Sequence, residues 1–216
     1  IQSGAVSAYQ LGTAVDGLMV YFSFRALITT KDEFIQFIKG TVTLLFPYML
    51  IMAYEAMTGQ NLFGIMGGVP TEPIMREGHY RCQGSFQIAI TAGSLGATFI
   101  AIYVGFLFRT EHRKWALAGI ISCLGIVVAS HSSGPLMAAA TAVTGWGCWL
   151  VRRHMQWVRR GIVAVLLALQ LTMSQPVWFI FDRISGVLGV DGWHRSNLID
   201  KFIFYWRGWW VGGMPF

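Results

Sequence analysis

A mostly apolar stretch of 21 residues, 88–108, decides the fold class. It runs IAITAGSLGATFIAIYVGFLF and contains no charged residue. A helix that crosses the hydrocarbon core of a bilayer needs about 20 predominantly apolar residues in a row. The stretch therefore predicts a membrane-spanning helix. Gly93, Gly96 and Ala97 lie at helical spacing within it, and a face of small residues lets lipid-embedded helices approach closely.

The composition of the whole chain agrees with this prediction. Hydrophobic residues make up 55% and charged residues 12% of the 216 residues, and the mean hydropathy is +0.54. A soluble domain carries about 25% charged residues and could not bury so much apolar surface. We predict an all-α, polytopic integral membrane bundle. This apolar composition excludes a disordered chain and a free soluble enzyme. A disulfide scaffold is excluded because three cysteines are too few for a disulfide framework.

Six stretches are predicted to cross the membrane within one transmembrane domain, residues 1–216. In chain order they are 7–26, 37–57, 88–108, 115–130, 134–151 and 161–181. The chain begins without an initiator methionine, and we treat it as a fragment of a longer membrane protein.

Basic residues in the short connections predict the orientation. Loop 109–114 contains three and loop 152–160 contains four, whereas the turn 130–135 contains none. Basic loops stay in the cytoplasm, so both loops are expected there and the turn outside. The external loops are then 58–87 and 182–216. Orientation also accounts for the net charge of +6, and we expect no nucleic-acid partner.

Several arginines fall in the predicted external loops, where the orientation rule gives no reason for them: Arg76, Arg81, Arg183, Arg195 and Arg207. Each could anchor to lipid headgroups or pair with a nearby acid such as Asp182, Asp191 or Asp200. A guanidinium also binds phosphate in a bidentate manner and keeps its charge at all relevant pH values. Two arginines that converge at the membrane surface would suit a lipid pyrophosphate.

Two other groups of residues are candidates for the chemistry. His79, His131 and His194 are predicted to be external, and each could act as a general base near neutral pH. Glu55 lies near the outer end of the second predicted span and is a candidate to pair with an external arginine, because acids inside a membrane usually face a partner or a cavity. We find no motif for a metal or a cofactor.

Three motifs resemble those of the bacterial O-antigen ligase and polymerase family. The first is Arg81-Cys-Gln-Gly-Ser-Phe86, which precedes a span rich in glycine and alanine. The second is the serine-rich turn Ser130-His-Ser-Ser-Gly-Pro135. The third is Gly192-Trp-His-Arg195, followed by Trp209, Trp210 and Gly212. The resemblance extends from about residue 40 to the end of the chain.

The resemblance implies a membrane glycosyltransferase of the bacterial inner membrane. Such enzymes take a polyprenyl-pyrophosphate-linked glycan as donor and a glycan or a lipid as acceptor, act on the outer face, and require no metal. External arginines hold the pyrophosphate, and a loop histidine activates the acceptor hydroxyl. The matching arginines are Arg81 and Arg195. Arg183 and Glu55 are further candidates for substrate binding, and His194 is the candidate catalytic residue.

Two other functions fit the sequence. A transporter or flippase for a lipid-linked or polar substrate predicts broken helices, repeated halves and acids near the middle of the membrane. Of these features the sequence offers only Asp16, within the first predicted span. A non-catalytic scaffold or receptor predicts that the external arginines can be replaced without effect.

Overall fold

The computed structural model shows a chain built almost entirely of helices, and the predicted all-α class is confirmed. It describes residues 2–76, 78–187 and 193–206. The helices are α1 (Gln2–Leu27), α2 (Lys31–Thr58), α3 (Leu62–Ile65), α4 (Ala89–Leu107), α5 (Arg113–Ala129), α6 (Ser133–Leu150), α7 (Met155–Thr172), α8 (Ile180–Val187) and α9 (Trp193–Tyr205). Strands β1 (Ile74–Arg76) and β2 (His79–Arg81) form an antiparallel hairpin. The contacts divide the chain into two compact units, Ile1–Leu44 and Leu45–Phe216.

Fewer helices are suited to crossing a membrane than the sequence predicts. Among the described residues, α2, α4 and the stretch Thr110–Ala129 are long and apolar enough. Helix α6 and the stretch Arg152–Thr172 qualify only as a pair bent by 81°, which raises the total to four at most. The prediction of six spans is therefore wrong, although several apolar helices remain compatible with a multi-pass membrane protein.

Two local features explain the difference. Helix α1 is 26 residues long, but Gln10, Asp16 and Arg25 lie along it and lower its mean hydropathy. The predicted span 161–181 is interrupted, because α7 ends at Thr172 and α8 begins only at Ile180. Pro176 lies in the gap, and a proline disfavours helical backbone at the residue before it.

In the first unit a capping box defines the start of α2. The backbone N–H of Glu33 donates to Thr30 Oγ1 at 3.3 Å, and Glu33 Oε2 accepts from the N–H of Thr30 at 2.9 Å and of Thr29 at 2.8 Å. This reciprocal arrangement satisfies donors that the first helical turn leaves open.

In the second unit α4 packs against α5 and α6 through its small residues. A Cβ atom on Gly96 would lie 2.7 Å from the carbonyl oxygen of Cys123 on α5, and one on Gly93 would lie 2.6 Å from Cγ of Pro135 on α6. The backbones can approach this closely only because both positions are glycine. The predicted small-residue face of the 88–108 stretch is confirmed.

Replacing Gly96 with leucine is expected to lower the folded yield severely, because the new side chain would overlap the backbone of α5. Overpacking a well-packed helix contact costs about 1–3 kcal/mol or more. Gly145 on α6 is the matched control, since a Cβ there would meet no atom within 4 Å. Size-exclusion chromatography in detergent measures the monodisperse fraction of each variant. Equal fractions for Gly96→Leu and Gly145→Leu would contradict this packing.

Candidate functional site

The β1–β2 hairpin places its charged residues on one face. Its register pairs Ile74 with Arg81 and Arg76 with His79. Residues directly opposite each other in an antiparallel pair share a face, and residues two apart on one strand do so as well. All four side chains therefore belong to the same face, and Tyr80 belongs to the other.

That face contacts the turn between α5 and α6. Arg81 Nη2 donates to Ser132 Oγ at 3.4 Å, and the rings of His79 and His131 stack with their centroids 4.6 Å apart and their planes 6° from parallel. The backbone N–H of Cys82 donates to the carbonyl oxygen of Ala129, the last residue of α5, at 3.2 Å. We call Arg76, Arg81, His79 and His131 the arginine–histidine cluster.

These contacts place the 59–88 segment and the α5–α6 turn at the same end of the bundle formed by α4, α5 and α6. The sequence predicts a common side for both from the distribution of basic residues. That this side is the external one stays a prediction.

Cysteine labelling measures this orientation. Glu72 and Glu111 are both exposed and lie in the 59–88 segment and in the α4–α5 connection. In intact cells a membrane-impermeant maleimide is expected to label Glu72→Cys and not Glu111→Cys, in a background where the half-buried Cys148 is serine. The opposite pattern would reverse the orientation.

The arginine–histidine cluster brings several basic side chains close together. Burial and then the neighbouring charge of Arg76 lower the pKa of Arg81. The Arg81 Nε atom is buried, and no hydrogen-bond acceptor reaches it within the described residues. Burial and then His79 lower the pKa of His131. Since a buried donor without a partner is costly, this environment favours an anion.

An apolar cavity adjoins Arg81. Its volume is about 120 Å³, and its lining residues are Ile74, Arg81, Gln83, Ile88, Ala89 and Ile90. The last three lie at the beginning of α4, where the apolar part of the chain starts. The cavity therefore offers a charged group and an apolar surface side by side, which suits an amphiphilic anion.

A buried carboxylate fixes the backbone next to Arg81. Glu55, near the end of α2, is completely buried. Its Oε1 accepts from the N–H of Gln83 and its Oε2 from the N–H of Gly84, each at 3.0 Å. Both oxygens are thus engaged by backbone donors. Glu55 positions the segment that follows Arg81, and its predicted contact with a substrate stays a prediction.

Gly84 is required by its backbone conformation and by its surroundings. Its φ is +55°, in the left-handed region that disfavours other residues. A Cβ atom at this position would lie 2.7 Å from Cζ of Tyr48, and the side-chain amide of Asn61 donates to the Gly84 carbonyl oxygen at 2.8 Å. The Arg81–Phe86 stretch therefore contains a turn, three residues after Arg81, that requires glycine.

Cys82 is a structural residue of the same motif. Its thiol is completely buried, and burial, with a smaller contribution from Glu55, raises its pKa to about 12. A thiol with such a pKa is a poor nucleophile near neutral pH. Among the residues that the structure describes, no group of three His, Cys, Asp or Glu side chains could hold a metal ion.

The other predicted site residues lie on the last helices. Arg183 is exposed on α8, and His194 is exposed on α9, which packs against α8 and residues 177–179. The side chain of Arg195 and the whole of Arg207 lie outside the described residues. The convergence of Arg81 and Arg195, and the catalytic role of His194, therefore stay predictions.

The pairing of His79 with His131 is the feature that sequence reasoning missed. Each histidine was a candidate base by itself, but the two are far apart in the chain and no spacing rule connects them. The hairpin register and the left-handed backbone of His131, whose φ is 39°, bring them together.

Comparison with protein-family models, with curated proteins and with solved structures finds no match for this chain.

Proposed function

We propose that the chain is the membrane domain of a glycosyltransferase that uses a polyprenyl-pyrophosphate-linked glycan as donor. It would transfer or polymerise the glycan at the outer face of the bacterial inner membrane, for surface polysaccharide synthesis. The observation that supports the proposal is the half-buried Arg81, with a donor that lacks a partner in the described residues, beside an apolar cavity at one end of α4.

The chemistry of such a donor matches these surroundings. A pyrophosphate offers paired oxygens to the forked guanidinium, and the first part of a prenyl chain is apolar, as is most of the cavity lining. The rest of a long prenyl chain would run along lipid-facing surface. The cavity is open to such a surface, since its lining residues Ile88, just before α4, and Ile90, in the first turn of α4, are 55% and 44% exposed.

The proposed reaction is a displacement at the anomeric carbon of the donor sugar. The acceptor hydroxyl oxygen forms a bond to that carbon, the bond from the carbon to the pyrophosphate oxygen breaks, and a base takes the hydroxyl proton. Arg81 stabilises the charge that develops on the leaving pyrophosphate. His194 is the predicted base and Arg195 the predicted second arginine, by the family resemblance. The acceptor is a glycan or a lipid.

A transporter or flippase is the second candidate, and one observation favours it. Helix α6 and the stretch Arg152–Thr172 are joined at a break where the helix axis bends by 81°. Discontinuous helices often line the substrate sites of transporters. Both candidates use Arg81 to hold the same headgroup. They differ in whether the bond between sugar and pyrophosphate breaks.

Reconstitution in liposomes separates the two functions. The full chain is supplied with a polyprenyl-pyrophosphate-linked glycan and candidate acceptors, and free polyprenyl pyrophosphate is measured. A transferase releases it only when an acceptor is present, and Arg81→Gln should abolish the release while Arg109→Gln, an exposed arginine in the α4–α5 connection, should not. Movement of the intact lipid across the bilayer without release would support the flippase and reject the transferase.

A further inference from the structure

We propose that the stacked pair His79 and His131 is the second half of the anion site and contacts the diphosphate in a protonated form. The site would then take up protons together with its ligand. This inference rests on the role given to Arg81 in the proposed function. It adds the ligand's proton requirement and two residues, His79 and His131, to which the family resemblance assigns no role.

The geometry places the histidine pair next to Arg81. His79 lies on the same face of the hairpin as Arg81 and directly opposite Arg76. His131 immediately precedes Ser132, whose hydroxyl oxygen accepts from Arg81. An anion bound to Arg81 on this face therefore comes close to both imidazole rings. A diphosphate has enough oxygens to contact the guanidinium and the ring nitrogens together.

The backbone of His131, whose ring stacks on His79, has an unusual conformation. Its φ of 39° is the one positive value among the non-glycine residues that the structure describes. Strained conformations of this kind are concentrated at functional sites. The turn between α5 and α6 could be closed by a glycine or an asparagine at this position, and neither would place an imidazole ring on His79.

The charges around the pair make protonation depend on an anion. Among the residues that the structure describes, the hairpin contributes the charges of Arg76 and Arg81 near the histidine pair, and on the α5–α6 turn the neighbouring Ser132 is uncharged. Glu55 is occupied by the backbone of residues 83 and 84. Without a ligand, two protonated rings 4.6 Å apart would repel each other and the arginines. A bound diphosphate is negatively charged, so it attracts the protonated rings and offsets this repulsion.

The expected pH dependence follows from these charges. Burial and His79 lower the pKa of His131 in the free protein, so the ring is neutral near pH 7. A bound anion raises that pKa. Between the two values binding takes up a proton, and the affinity for the anion increases as the pH falls.

Binding measurements on the full chain in detergent test the inference. The probes are farnesyl diphosphate, inorganic pyrophosphate and sulfate, since the charge of sulfate is constant over the range in which histidine titrates. From about pH 8 to about pH 6 the affinity of the wild type for sulfate should rise roughly tenfold. His131→Asn should reduce that rise to about twofold or less, and asparagine tolerates the left-handed backbone. His154→Asn, an exposed histidine, should behave as the wild type.

A second variant guards against a folding defect. His79→Phe keeps an aromatic ring for stacking but removes a titratable group, and it should retain sulfate binding at about pH 8 while losing part of the pH dependence. Wild-type pH dependence in both His131→Asn and His79→Phe would overturn the inference. Binding that does not change with pH in the wild type would also overturn it and would leave the proposed function intact.

The three probes separate the sources of the ligand. Tighter binding of farnesyl diphosphate than of inorganic pyrophosphate supports a lipid donor, because only the former occupies the apolar cavity. Equal affinities would reject the lipid donor and with it the proposed function, while a proton-linked site for free diphosphate would remain. Failure of all three probes to bind at any pH would reject both proposals.

Discussion

Glu55→Ala is expected to unfold the segment that carries Arg81. The substitution leaves the backbone N–H groups of Gln83 and Gly84 without their acceptors in a completely buried site. Each buried donor left without a partner costs about 1–3 kcal/mol. The thermal unfolding midpoint should fall, and limited proteolysis should cleave within residues 59–88 under conditions in which the wild type is resistant.

Two comparisons isolate the role of the carboxylate. Glu55→Gln preserves the volume but offers one acceptor oxygen instead of two, so it should lie between the wild type and Glu55→Ala. Glu111→Ala removes an exposed carboxylate and should change neither measurement. Proteolytic resistance of Glu55→Ala equal to that of Glu111→Ala would show that the buried carboxylate does not hold this segment.

Arg81→Lys is expected to weaken binding of farnesyl diphosphate by roughly tenfold to a hundredfold, or about 1.4–2.7 kcal/mol, which is in the range for the loss of a charge-assisted hydrogen bond. Lysine keeps the positive charge but loses the planar fork that matches a phosphate. Arg81→Gln should lose more affinity, since it removes the charge as well. The measurement is a titration of the detergent-solubilised full chain with the labelled lipid.

Arg109→Lys provides the matched control at the other end of α4 and should bind as the wild type does. If Arg81 only anchored lipid headgroups, its lysine variant would keep wild-type affinity. Wild-type affinity of Arg81→Lys, together with unchanged folded yield, would therefore remove Arg81 from the proposed binding site.

The helical class and the packing of α4 through its small residues could be predicted from the sequence, because both depend on local patterns. The apolar run 88–108 gave α4, and Gly93 and Gly96 gave the face on which α5 and α6 pack. The number of spans could not be predicted in the same way. The length of an apolar stretch does not predict the bend between α6 and α7 or the helix end before Pro176, because both depend on the local backbone.

The candidate site was predictable residue by residue, but its arrangement was not. The sequence indicates Arg81 by its charge in a predicted external loop, and Glu55 by the cost of a carboxylate inside an apolar stretch. That Glu55 binds backbone donors, and that His79 meets His131, are consequences of long-range contacts. Left-handed backbone at Gly84 and His131 accompanies these contacts, and the sequence pattern does not indicate it at either position.

Photocrosslinking tests the central claim, that Arg81 and the adjoining cavity bind a polyprenyl diphosphate. The full chain in lipid nanodiscs is irradiated with a farnesyl diphosphate analogue that carries a diazirine on its first isoprene unit, and the labelled residues are identified by mass spectrometry. We expect labels on Ile74, Ile88 or Ile90, which line the cavity, and their loss in Arg81→Gln but not in Arg109→Gln. Labels confined to other helices, or labels at the cavity that persist in Arg81→Gln, would contradict the account.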